Sequence, residues 1–132
     1  MEKINTKWIA DGITPEAVSW AEGFGKELAE DERGGLKALT TSQLRKFFGE
    51  VKRIEAGGEV DKAELIMLKP LLAYAVGRDA KKTKIANFAE QVTRALDTVI
   101  QAESEEKRKS YFYNFVKLFE AIVAYHKYYG GK

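Results

Sequence analysis

Two apolar stripes in the second half of this chain restrict its fold more than any other feature. Ile85, Phe88, Ala89, Val92, Leu96, Val99 and Ile100 recur mainly in steps of three and four. Phe112, Phe115, Val116, Phe119, Ile122, Val123 and His126 repeat the pattern. Residues at that spacing share one side of an α-helix, whereas a strand would scatter them over two faces. A helix with one apolar side must bury it against a partner, most readily another helix. Two such rods in succession ask for a helical bundle.

The rest of the chain agrees. Strand-type alternation is absent over any useful length, and only two prolines occur. A first segment starts at Thr14-Pro15, a capping residue followed by proline at the first helical position, and runs to about Ala29. Val18, Ala21, Gly25 and Leu28 give it a weak stripe interrupted by glycine. Asp31-Glu32-Arg33-Gly34-Gly35 reads as a hinge or linker. A second helix covers residues 41–56. Thr40 and Gln43 have capping-box spacing, Leu44, Phe47, Phe48, Val51 and Ile54 form its stripe, and Gly57-Gly58 stops it. A third opens at Asp61, with Glu64 three residues on, and continues toward Val76; Pro70 should kink or divide it. Gly130-Gly131 ends the last helix at its C′ position. The expected fold is all-α, a compact bundle of about five helices.

With 132 residues, the chain reads as one domain that buries roughly two-thirds of its unfolded surface. A net charge of +2 conceals an asymmetry. Residues 1–35 carry 4 Lys or Arg against 8 Asp or Glu, while residues 36–132 carry 18 against 12. An acidic lead and a basic body hint at a polyanionic partner. The absence of cysteine removes disulfides, thiolate nucleophiles and cysteine-ligated metals. No apolar run approaches the roughly 20 residues that span a bilayer, and no basic stretch followed by an apolar one marks a secretory signal. A cytoplasmic protein without membrane association is the expectation.

Enzyme chemistry finds few materials here. His126 is the single histidine and lies on the last apolar stripe, so a packed, hydrogen-bonded ring is the first reading and a catalytic base the second. Glu30-Asp31-Glu32 and Glu103-Ser104-Glu105-Glu106 sit at helix ends, where carboxylates are more often solvated caps than metal ligands. No glycine-rich phosphate loop is present. No catalytic residue, cofactor or metal is therefore assigned.

Cations give the positive signal. Arg45, Lys46, Lys52 and Arg53 fall off the stripe of the second helix, and pairs seven apart return to nearly the same side. Arg78, Lys81, Lys82 and Lys84 make a second cluster at a helix junction. Such runs either solvate a surface or meet an anion. Gly49, beside the first cluster, costs a helix about 1 kcal/mol relative to alanine. Its missing side chain would admit a phosphate backbone or another helix, or serve a tight crossing within the monomer. In the last segment Tyr125 reads as a packing residue, while Tyr128 and Tyr129 are open to packing or to base stacking.

Three segments in this order carry a resemblance. They are Leu39-Thr40-Thr41-Ser42-Gln43-Leu44-Arg45-Lys46, then Leu68-Lys69-Pro70-Leu71-Leu72-Ala73-Tyr74-Ala75-Val76-Gly77-Arg78, then Glu120 through Gly131. Together they resemble the small subunit of the type III-A CRISPR interference complex, the Csm complex, over roughly residues 36–132. That resemblance implies a small helical protein, present in several copies, stacked beside the subunits that hold guide RNA. It implies basic surfaces that contact the phosphate–sugar backbone of target RNA paired to guide, with catalysis in other subunits. Guide pairing then supplies sequence choice, and the protein reads backbone shape and charge. Arg45 and Lys46 become the first candidates for RNA contact, with Lys52 and Arg53 extending the helix. Arg78 would touch RNA or tie two helices, and Lys69 is a further candidate. Residues 1–35 form an acidic helical segment outside the resemblance, with no role assigned. The expected partners are the other effector subunits, guide and target RNA, and copies of the chain itself. The alternatives are a purely structural filament subunit without RNA contact, and a small DNA-binding regulator.

Overall fold

The computed structural model describes residues 2–132. It is all-helical: α1 Lys7–Ala10, α2 Pro15–Ala29, α3 Thr41–Ala56, α4 Lys62–Asp79, α5 Ile85–Ile100 and α6 Glu105–Tyr128. Among the described residues no strand forms, and an isolated parallel bridge joins Lys37 to Thr83. The bundle expected from the stripes is present, with α1 as one short addition. Pro70 lies inside α4 without dividing it. Proline's missing N–H removes one intrahelical bond, and at this exposed position nothing else in the packing is disturbed.

Local chemistry explains the ends. Thr14 Oγ1 accepts from Ala17 N–H at 3.1 Å, with Pro15 at the first turn of α2. The capping box of α3 is complete: Gln43 N–H donates to Thr40 Oγ1 at 3.1 Å, and Thr40 N–H donates to Gln43 Oε1 at 3.0 Å. Asp61 and Ser104 cap α4 and α6 through Ala63 and Lys107 N–H. At the far end of α6, Gly130 takes φ +90°, and Gly131 N–H reaches His126 O at 2.8 Å. Gly130 N–H reaches Lys127 O at 3.0 Å, completing a Schellman closure.

A single core runs through the molecule. Phe119 sits at its centre. Its ring lies 5.1–5.6 Å from those of Phe48, Phe47 and Phe88, which joins α3, α5 and α6. The acidic lead belongs to the same core. Ile4, Ile9, Trp20, Phe24 and Leu28 are all buried. Ile4 N–H donates to Gln91 Oε1 at 2.8 Å, and Asn114 Nδ2 donates to Ile9 O at 2.8 Å. The stripe of α2 is stronger than Val18, Ala21, Gly25 and Leu28 suggest, because Ala17, Trp20 and Phe24 complete it while Val18 is only half-buried.

At Gly25, α2 and α6 approach closely. A Cβ placed there would lie 2.9 Å from His126 N, 2.9 Å from Tyr125 Cβ and 3.0 Å from Ile122 O. Gly49 makes no such crossing, since a Cβ there meets nothing within 4 Å. The tight helix contact within the monomer is therefore at Gly25, and the reading of Gly49 as that crossing is corrected. The cause lies in the neighbours. Gly25 sits in the buried row with Ala21 and Leu28, whereas Gly49 follows two core-facing phenylalanines and points outward.

Candidate nucleic-acid interface

Leu44, Phe47, Val51 and Ile54 anchor α3 in the core, which turns the intervening positions outward. Arg45 and Lys46 are both exposed there. Among the described residues neither is within salt-bridge range of a carboxylate, as the full set of ion pairs runs through other residues. Their charge is held by solvent alone.

Lys52 and Arg53, about two turns further on, are differently placed. Lys52 Nζ is 2.6 Å from Glu55 and 3.5 Å from Glu120 on α6. Arg53 is 3.1 Å from Glu50 and 3.6 Å from Glu64 on α4. The hydrogen bond to Glu55 raises the Lys52 pKa, and the bond to Glu50 raises that of Arg53. These cations cross-brace α3 to its neighbours. Exposed pairs of this kind contribute little to stability, so exchanging a carboxylate for another anion costs little. Lys69 is similarly occupied by Asp97 on α5 at 2.7 Å. Arg78 has only a loose contact, 3.9 Å to adjacent Asp79.

The structure brings Lys46 and Arg78 together across 32 positions of sequence. Both line a cleft of about 80 Å³ between α3, α4 and α5. Phe47, Leu72 and Phe88 form its buried floor, and exposed Lys46, Tyr74 and Arg78 surround its mouth. Lys69 is not part of this cleft, and neither are Arg45, Lys52 or Arg53. Tyr74 lies within the second resemblance segment, but the sequence alone does not single it out as a site residue. Its signal was its place four residues before Arg78, on the same helical face.

The second cluster is divided. Lys84 is buried and donates from Nζ to Glu27 O at 2.7 Å, closing the C-terminal end of α2. That lysine is committed to the fold and faces no external anion. Lys81 and Lys82 are exposed beside it. His126 is also committed: the ring is buried and its Nε2 lies 2.7 Å from Leu39 O, so Nε2–H is the donor. Gly131 packs against the ring so closely that a Cβ would overlap Cε1 and Nδ1. Among the described residues, no group of three or more His, Cys, Asp or Glu is placed to hold a metal ion.

Of the C-terminal tyrosines, Tyr125 is half-buried against α2, as expected of a packing residue. Tyr129 donates from its hydroxyl to Glu22 Oε2 at 2.5 Å, and Lys26 Nζ lies 5.6 Å from its ring centre. The bond to Glu22 pushes the Tyr129 pKa up to about 12. Tyr128 stays 76% exposed. No helix is long and apolar enough to cross a membrane among the described residues.

The chain belongs to the Csm2 family of type III-A CRISPR systems: the family model described as Csm2 Type III-A matches residues 15–132. The match takes in α2 as well as the four helices after it. No curated protein and no solved structure matches the chain.

Proposed function

We propose that this Csm2-family chain is the non-catalytic small subunit of a type III-A CRISPR RNA-guided effector, stacking in several copies and holding the phosphate backbone of target RNA paired to guide. The carrying observation is the unpaired state of Arg45 and Lys46 on the outer side of α3. Cations that already have carboxylate partners gain less from a phosphate than cations held by water alone. Arg45 and Lys46 are thus the primary contacts, Arg78 extends the site, and Lys52, Arg53 and Lys69 join by exchanging their carboxylates. Backbone contacts of this kind position RNA without reading it, which suits a complex in which guide pairing selects the target. The work is cytoplasmic, beside guide RNA and the other subunits.

The stacking part has its own support. The outward side of α4 carries Ile66 and Met67, 43% and 64% exposed, with Pro70, Ala73 and Gly77 nearby. A helix that is apolar on both sides belongs in contact with something on both sides. This same face is what a purely structural filament subunit without RNA contact would need.

Replacing Arg45 and Lys46 with glutamine separates the two readings. If they meet target-RNA phosphates, each lost contact lowers the log–log salt slope of binding by about 0.7 to 0.9, the single-strand and duplex values. The loss should be equal for every target sequence, with subunit stoichiometry intact. Unchanged affinity across the salt series in an intact complex removes α3 from the RNA path. Expulsion of the subunit before RNA is added assigns the face to a neighbouring protein.

A further inference from the structure

We infer that the cleft between α3, α4 and α5 is a pocket for one unpaired nucleobase of an RNA strand, with Lys46 and Arg78 on the flanking phosphates and Tyr74 stacked on the ring. The inference rests on the RNA reading above and adds to it a contact with a base that is not paired to the guide.

The floor supplies apolar contact for a flat ring. Phe47, Leu72 and Phe88 are each 4% exposed or less, and the cleft above them, at about 80 Å³, admits one edge of a base, the rest of the ring lying at the mouth beside Leu71 and Ala75. The mouth supplies the remaining elements. Tyr74 is 66% exposed, although it stands on a helix whose neighbouring positions Leu71 and Ala75 are partly buried against the core. An exposed tyrosine ring beside an apolar cleft is a stacking surface that accepts any base, because every base has a π-face.

Charge selects the occupant. A protein side chain entering an apolar cleft gains nothing from two cations at its rim, unless it brings a carboxylate with it. A nucleotide always brings phosphates on both sides of its base. Among the described residues Lys46 has no carboxylate within salt-bridge range, and Arg78 has only the 3.9 Å contact to Asp79. Asp79 is itself restrained: its Oδ2 accepts from Gln43 Nε2 at 3.3 Å, and the same Nε2 lies 3.3 Å from Thr83 Oγ1. The capping glutamine of α3 thus holds the one carboxylate of the cleft toward the α4–α5 junction. The mouth is left with a cationic character that matches a ribose-phosphate strand.

The test compares two short single-stranded oligoribonucleotides of equal length and charge, one ordinary and one abasic at every position. Binding of the full-length protein is measured by anisotropy at fixed salt. The wild type should prefer the ordinary strand by roughly 5-fold to 100-fold, the range that one stacked base supplies. Tyr74→Ala should reduce that preference to near unity, and Tyr74→Phe should retain it. Arg45→Gln should weaken both strands by the same factor. Equal binding of both strands by the wild type overturns the base pocket while leaving backbone binding in place. Failure to bind either strand at low salt removes the RNA reading and the pocket together. A Tyr74→Ala protein that keeps its preference, yet no longer joins the assembled complex, gives the cleft to a neighbouring subunit and also overturns the proposal.

Discussion

The seam between α2 and α6 and the outer side of α3 and α4 use the same kind of residue to opposite ends. Both contain helical glycine. At Gly25 the missing side chain lets two backbones meet, with a Cβ excluded by His126 N at 2.9 Å and Ile122 O at 3.0 Å. At Gly49 and Gly77 a Cβ would meet nothing within 4 Å. Their neighbours differ in the same sense. The seam is closed by Tyr129 on Glu22 and by a histidine bound to a backbone carbonyl. The outer side leaves Ile66, Met67 and Tyr74 exposed and two cations unpaired. One region has completed its contacts within the chain, while the other presents groups without partners among the described residues.

The largest test concerns what the two regions share. Phe119 on α6 is 2% exposed and stacks on Phe47 and Phe48 of α3. Phe119→Ala should cost about 3–5 kcal/mol in denaturant titration. A loss well below 1 kcal/mol would mean that α3 and α6 are not joined through this ring.

The two glycines give the sharpest contrast. Gly25→Ala drives a methyl into backbone atoms, and overpacking of this kind costs about 1–3 kcal/mol. Up to about 1 kcal/mol of improved helix propensity offsets part of it. Gly49→Ala should instead stabilise the isolated protein by about 0.4–1 kcal/mol, since the helical conformation suits alanine and space is available. If both changes destabilise, the outer side is already packed in solution. If Gly49→Ala stabilises the subunit but weakens its assembly or RNA binding, the open space has a use outside the monomer.

A smaller effect probes the seam by pH. Tyr129 has its pKa raised from 10.0 to about 12, chiefly because its proton is held between its oxygen and the Glu22 carboxylate. The protonated hydroxyl is the stabilising form. Its contribution is fully present below about pH 10 and is lost as pH rises through about 12. The stability difference between wild type and Tyr129→Phe should therefore be flat up to pH 10 and shrink above it. A difference independent of pH across that window would mean that the bond to Glu22 does not form in solution.

The same contrast explains what could be read before the fold was known. Helix positions came through because the cues are local: Thr14-Pro15, Thr40 with Gln43, and the steps of three and four on α5 and α6 all act within a few residues. Gly25 and Gly49 looked alike in sequence because the distinction between them is made by α6, about a hundred residues from Gly25. Arg45, Lys46, Lys52 and Arg53 likewise formed one group by spacing. The carboxylates that divide them, Glu120 and Glu64, arrive from other helices. Lys84 was grouped with Lys81 and Lys82, since nothing local reveals that its stem points inward to the end of α2. The cleft at Lys46 and Arg78 is a tertiary object, and only the Tyr74–Arg78 spacing announced any part of it.

Lys84 also gives this protein an internal reference for chemical footprinting. An amine-reactive reagent needs an accessible nitrogen with a free lone pair, and Lys84 is a buried residue, 4% exposed, whose ammonium is hydrogen-bonded to Glu27 O. It should stay unlabelled for as long as the end of α2 is docked, whereas Lys46 labels freely. In an assembled complex, protection at Lys46 with Lys84 silent reports a covered surface. Reaction at Lys84 reports that the bundle itself has opened, so one peptide map separates occupancy from unfolding.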